Sequence, residues 1–317
     1  MKAWSLPPVL KNKDMCFFTS LSANAAAVAK RYGKQLDIIE AARQILAEQE
    51  QEQRAKQETD PKHKISVYDI RLSEDIYVIP AYAEPHCVIV SGSEELQVMQ
   101  WGLIPRTAKP EEAERYDREN LFKNARAETL FEKWPWRMLW QHNRCIIPVT
   151  GFFEPHRLPN GKAQYYYTTL KDQELFSIAG LWDEWTHPQT GEKMLSFVLI
   201  TTEANAMMRK IHNGGSNPFR MPKILTSEQE RLWLDPTIVS KEAVTDLLTV
   251  YPEEEMTAWP VRPKFNYGDP YDEGIIEPVA EMQKLGLGTQ SCLNHTKREE
   301  TDNGLPSGNE SRHSSNT

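Results

Sequence analysis

The sequence predicts an α+β domain in which short strands build a curved, barrel-like, mainly antiparallel sheet with helices at its periphery. Short apolar runs with strand spacing follow one another through most of the chain, separated by turn-forming Pro, Gly, Asn and Ser, while strong helix-forming stretches are few. At 317 residues, 39% hydrophobic and 26% charged, the chain can bury one large core or two smaller ones. No apolar run approaches the roughly 20 residues of a spanning helix, and Met1 to Asp14 lack the apolar stretch of a secretory signal. A cytoplasmic protein without membrane attachment is expected.

Residues 1–14, with Pro7-Pro8 breaking any helix, are either a leader or a start assigned upstream of the true one. Ala23 to Tyr32 is rich in helix formers and is closed by Gly33; Leu36 to about Lys56 continues as a second helix with a polar, solvated end. Between Ile65 and Pro105 the spacing turns to strands: Tyr77-Val78-Ile79, Cys87 to Val90 and Leu96 to Trp101 read as successive strands of a meander. Further strands are expected at Cys145 to Val149, Tyr165 to Thr169, Phe176 to Trp182 and Leu195 to Ile200, with hairpin tips at 159–161 and 189–191. Glu203 to Ile211 and Ser227 to Leu234 read as short helices. After about Lys284 the composition collapses to Gly, Ser, Thr, Asn and charge, which predicts a disordered tail over 285–317.

Charge and cysteine usage narrow the function. A net charge of -8 argues against coating nucleic acid by bulk charge, yet basic residues from Arg106 to Lys223 gather in the middle of the chain and allow a local basic groove. Cys16, Cys87, Cys145 and Cys292 have no paired short spacing, so neither a zinc site nor a disulfide framework is indicated, and no metal or other cofactor is expected.

Four places carry chemistry. Cys16 follows a methionine; if Met15 is the first residue and is removed, Cys16 bears a free α-amine titrating near about 8 and a thiol near about 8.5. Those adjacent nucleophiles condense with an aldehyde to a thiazolidine, whereas read plainly Cys16 is a small core residue. Asn124 to Thr129 alternates polar and small residues: as a strand it puts Asn124, Arg126 and Glu128 on one hydrogen-bonding, cationic face, and as a helix start Asn124 caps it. Glu154 ends an apolar run through Gly151, Phe152 and Phe153, as either an acid–base group of raised pKa or a partly exposed carboxylate at a strand end. His212 precedes Gly214-Gly215 and is either a proton shuttle or a polar loop residue.

Taken in order, Met15-Cys16, Trp101 to Pro105, Asn124 to Thr129, Arg144 to Pro148 with Gly151 and Glu154, Ala179 to Trp182, Thr201 to Asn205, Ile211-His212 and Arg220-Met221-Pro222 resemble the SRAP family, the SOS-response-associated peptidases or abasic-site processing proteins. The resemblance covers about residues 15–235 and implies one domain over 15–284. It implies a monomer on a barrel-like sheet that binds single-stranded DNA and traps abasic sites as a thiazolidine, after autoproteolytic removal of the residues before Cys16. Carried over, Cys16 is the nucleophile, Asn124 positions it, Arg126 contacts phosphate, Glu154 manages protons at the amine, and His212 assists Schiff-base formation and strand release. Trp101, Phe152 and Phe153 could offer stacking surface to unpaired bases or pack in the core. A cysteine–histidine peptidase or amidohydrolase and a non-catalytic single-strand binder are the competing readings. Three departures stand out: Phe17-Phe18 replaces the family's usual Gly-Arg, residues 213–219 are inserted before Arg220, and 15 residues precede Cys16.

Overall fold

The computed structural model describes residues 18–37, 76–80, 86–119, 121–262 and 272–279. All lie within the first of the two units into which the chain divides, Met1–Val279. The expected second helix, apart from its first two residues, and the expected tail lie outside the described residues.

In chain order the elements are β1 (Phe18–Leu21), α1 (Ala25–Tyr32), β2 (Ile76–Pro80), β3 (His86–Ile89), β4 (Gln97–Trp101), α2 (Pro110–Arg118), β5 (Asn124–Arg126), β6 (Arg144–Val149), β7 (Gly151–Arg157), β8 (Ala163–Leu170), β9 (Phe176–Thr186), β10 (Lys193–Glu203), α3 (Ala206–Ile211), β11 (Arg220–Pro222), β12 (Ile224–Leu225), α4 (Ser227–Leu234), α5 (Lys241–Asp246) and β13 (Met256–Pro260). One sheet runs β13-β8-β7-β1-β2, the other β12-β9-β10-β4-β3, with β5 and β11 joining at β10 and β6 at β9. Pairing is antiparallel except where β10 meets β4 and β5. The architecture is therefore the expected mixed one, barrel-like and rich in antiparallel strands, with short helices outside it.

Local signals account for most elements. α1 starts where the Asn24 side chain accepts from the Ala27 N–H at 2.9 Å and stops at Gly33. The β7–β8 and β9–β10 hairpins turn at Gly161 and Gly191, whose positive φ of 78° and 73° suits glycine. β10 reads as an unbroken apolar run because it is buried from Ser196 to Thr202, with strands along both edges. The meander over Ile65 to Pro105 is corrected: β3 and β4 pair, but β2 pairs with β1 in the other sheet. Strand spacing marks a strand without naming its partner.

The chain crosses from one sheet to the other at Thr150, between β6 and β7. Nothing there is slack. Thr150 N–H donates to the Ser20 carbonyl at 2.9 Å, its hydroxyl meets Ser20 Oγ at 3.1 Å, and its carbonyl accepts from the Thr169 hydroxyl at 2.8 Å. Ser20 Oγ also meets Tyr167 Oη at 2.9 Å, and the Tyr167 ring lies where a side chain on Gly151 would be, 2.2 Å from the position of an added Cβ. This corner sets β1 against β7.

A second junction forms at the end of β10. β5 pairs with one edge, Thr201 opposite Arg126, and β11 takes the other, Glu203 opposite Arg220. The Arg220 guanidinium spans them, donating to Glu128 Oε1 and Oε2 at 2.7 and 2.9 Å and to the Thr201 carbonyl at 2.8 Å. Partial burial pushes the Glu128 carboxyl up, but the hydrogen bonds and charge of Arg220 outweigh it and the net shift is downward.

Two outcomes follow from these junctions. Gly151→Ala should destabilise the protein by about 1–3 kcal/mol through overpacking against Tyr167, read as a lower urea midpoint at unchanged slope; an unchanged midpoint would show the corner to be plastic. Because the folded pKa of Glu128 lies below its ordinary value of 4.5, its stabilising contribution is complete above pH 4.5 and is lost as pH falls through the folded value. Wild type should thus melt above Glu128→Gln at pH 6, with the gap closing below pH 4.5; a gap independent of pH would refute the ion-pair assignment.

Candidate functional site

Glu154 lies in the middle of β7, opposite Tyr166 of β8, and is wholly buried, so the strand-end placement and the partly exposed reading are both corrected. β1 and β8 flank β7 on either edge, which leaves Phe152, Phe153 and Glu154 all without exposure. α3 packs near β7, capped by the Asn205 side chain accepting from the Met208 N–H at 2.9 Å, and it ends at His212, also wholly buried. The helix end and the strand thus deliver a histidine and a carboxylate to one interior point.

Their geometry fixes how the imidazole is held. His212 Nδ1 lies 3.0 Å from the Arg220 carbonyl, and because a carbonyl only accepts, Nδ1 carries the proton. In the neutral ring Nε2 therefore holds the lone pair, and among the described residues it has no hydrogen-bond partner. Glu154 Oε2 stands 3.7 Å from Nδ1, beyond a good hydrogen bond. A ring held this way can take a proton at Nε2 and return it.

At the rim, the strand reading holds for Asn124–Arg126, which is β5, but Glu128 falls in a single 3₁₀ turn, Ala127–Thr129, whose cap is Arg126 and not Asn124, so the reading of Asn124 as a helix cap is corrected. Asn124 is half-buried, Arg126 exposed and hydrogen-bonded to Asn217, and Ala125 is buried between them. Cys16 and Phe17 lie outside the described residues. The strand after them begins with Phe18 opposite Phe153, the neighbour of Glu154.

Glu154 and His212 are thus brought together, while Asn124 and Arg126 stand on β5, across β10 from Arg220. The stacking role offered for three aromatic residues is corrected in favour of core packing. Trp101 is 1% exposed, its ring stacked on Phe197 and its indole N–H bonded to the Lys123 carbonyl; Phe152 has no exposure, and neither does Phe153. None of these rings has a face for a base. Phe18, where the family usually has arginine, is likewise interior, edge-on to Tyr165 at 6.0 Å. Sequence reasoning assigned Arg220 and Asn217 no role in the site; Arg220 sits in a motif quoted above, which is the signal for it, whereas Asn217 lies in the loop between His212 and Arg220 and has none.

Comparison with known proteins agrees with this architecture. The family described as "SOS response associated peptidase (SRAP)" matches residues 15–267. The chain is 37% identical over 175 residues to "Abasic site processing protein YoqW" of Bacillus subtilis (strain 168), across 55% of this chain and 73% of that protein. It is 31% identical over 216 residues to "Abasic site processing protein HMCES" of Xenopus tropicalis, across 62% of this chain and 61% of that one. Among solved structures, a protein from Bacteroides thetaiotaomicron superposes with a TM-score of 0.70 at 35% identity, covering 83% of this chain and all of the other. With a match over most of its length, the chain belongs to the SOS response associated peptidase (SRAP) family.

Proposed function

We propose that this chain binds single-stranded DNA and traps abasic sites covalently through Cys16, exposed as the first residue when the chain cleaves off the segment before it. The relatives' names point to abasic DNA as the substrate class. The single observation that carries the chemistry is the buried Glu154–His212 pair beside the strand that Cys16 leads into.

The reaction balances without a cofactor. The α-amine of Cys16 adds to the aldehyde carbon of the ring-opened sugar, and the carbinolamine loses water to give an imine. The thiolate then adds to the imine carbon, the nitrogen takes up a proton, and a thiazolidine results with net loss of one water. Each stage needs a proton moved within the site, and His212 Nε2 supplies that shuttle while Glu154 offsets the charge on the ring. Asn124 positions the cysteine, and Arg126 holds a phosphate of the strand.

The test is a denaturing gel with an oligonucleotide carrying one abasic site. Wild type beginning at Cys16 should give a heat-stable adduct, absent with undamaged DNA and with a reduced, aldehyde-free analogue. Cys16→Ser should give only a Schiff base that borohydride traps, and His212→Ala should slow formation and reversal together by ~10²-fold or more. Glu154→Gln should slow both crosslinking and removal of the leading segment, followed by intact mass. An adduct from protein with a blocked amine would overturn the thiazolidine route and favour an ordinary thiol nucleophile. Separately, Arg126→Ala should lower the slope of log affinity against log salt by about 0.7 for single strands. A titration that overlays wild type would remove Arg126 from phosphate binding.

A further inference from the structure

The 213–219 insertion is tied to the site on three sides. The Asn213 side chain makes paired bonds to the backbone at the end of β7, accepting from the Arg157 N–H at 2.7 Å and donating to the Arg157 carbonyl at 3.1 Å. At its neck the Phe219 N–H donates to the His212 carbonyl at 2.8 Å, and the Phe219 carbonyl accepts from the Ala204 N–H at 2.9 Å. Asn217 accepts from the Arg126 guanidinium. The loop thus touches β7, the residues bracketing α3, and β5.

Phe219 is the anomaly within it. Its φ is +62°, the one positive value for a non-glycine among the described residues, a conformation that costs any residue with a Cβ and that aromatic residues rarely adopt. The strain is not offset by burial, since Phe219 remains 41% exposed. The Arg209 guanidinium carbon sits 5.7 Å from the ring centroid, and Arg209 itself donates to the Ala204 carbonyl at 3.1 Å, which holds it there. Neither local preference nor the hydrophobic effect favours a strained, outward phenyl ring, whereas a ligand that covers it would.

We propose that Phe219, backed by Arg209, is a stacking platform for one unpaired base next to the lesion, and that Asn217 keeps Arg126 turned to the same strand's phosphate. A flat aromatic face beside guanidinium groups suits a base with its anionic backbone. Asn217 occupies part of a guanidinium with five N–H donors, so Arg126 is oriented and still has donors to give. Trp101, Phe152 and Phe153 are interior, and the inserted loop supplies an exposed ring that they do not. This inference rests on the proposed binding of single-stranded DNA.

The experiment uses Phe219→Gly, which removes the ring and accepts the same backbone without steric cost, and Phe219→Trp, which keeps an aromatic face. Anisotropy with a labelled, undamaged single strand should show Phe219→Gly weakened by about 5- to 100-fold, its salt slope unchanged, and Phe219→Trp within about 3-fold of wild type. Affinity for the same sequence as a duplex should not change, and Phe219→Gly should melt at or above the wild-type temperature. Single-strand affinity of Phe219→Gly equal to wild type, or a loss shared equally by the duplex, would overturn the platform while leaving the proposed function standing. A wild-type chain that neither binds single strands nor forms the abasic adduct would overturn both.

Discussion

Burying a histidine and a glutamate at one interior point is the constraint on which the site depends. An ionised side chain taken out of water alone costs several kcal/mol, and a pair is tolerated only where geometry and further hydrogen bonds compensate. For His212 that hydrogen bond is to backbone. The Arg220 carbonyl accepts the Nδ1 proton of His212, while Glu154 lies 3.7 Å from the same nitrogen. For both relations to hold, β7, the end of α3 and β11 must converge to within a few tenths of an ångström, which loops alone would not ensure. Rigid strands do so, because β7 is locked at the Thr150 corner and β11 is locked to β10.

Arg220 links the interior to the rim. Its carbonyl orients His212 inside, and its guanidinium closes on Glu128 and Thr201 outside, so one residue couples the ring's tautomer to the placement of β5. The cationic groups near this junction, Arg126, Arg209 and Arg220, belong to a chain whose net charge is -8. At position 18 a phenylalanine packs against Tyr165, so β1 gives that side chain to the core.

The aromatic residues illustrate how sequence can mislead about a binding face. Trp101, Phe152 and Phe153 sit in motif-bearing stretches, but strands lie along both edges of β4 and β7 and their rings are covered. Phe219 sits in no motif and is exposed. The difference is decided by what packs against each strand face, a property of distant parts of the chain.

Much of this protein was legible before its structure. The helix end at Gly33, hairpin tips at Gly161 and Gly191, and the positions of β6, β8, β9 and β10 follow from capping chemistry, left-handed backbone sterics and apolar spacing, all of which act within a few residues. The ordered motifs from Met15 to Pro222 also carried the family, since they are strings of residue types that need no distances. Other features belonged to the tertiary structure alone: β2 parting from β3, the complete burial of Glu154, the proton on Nδ1 of His212, the Arg220–Glu128 clamp and the anchoring of the inserted loop on Arg126. Each joins residues far apart in sequence, or depends on what covers a strand, and is settled only when the sheets close around one core and every buried polar group must find its partner there.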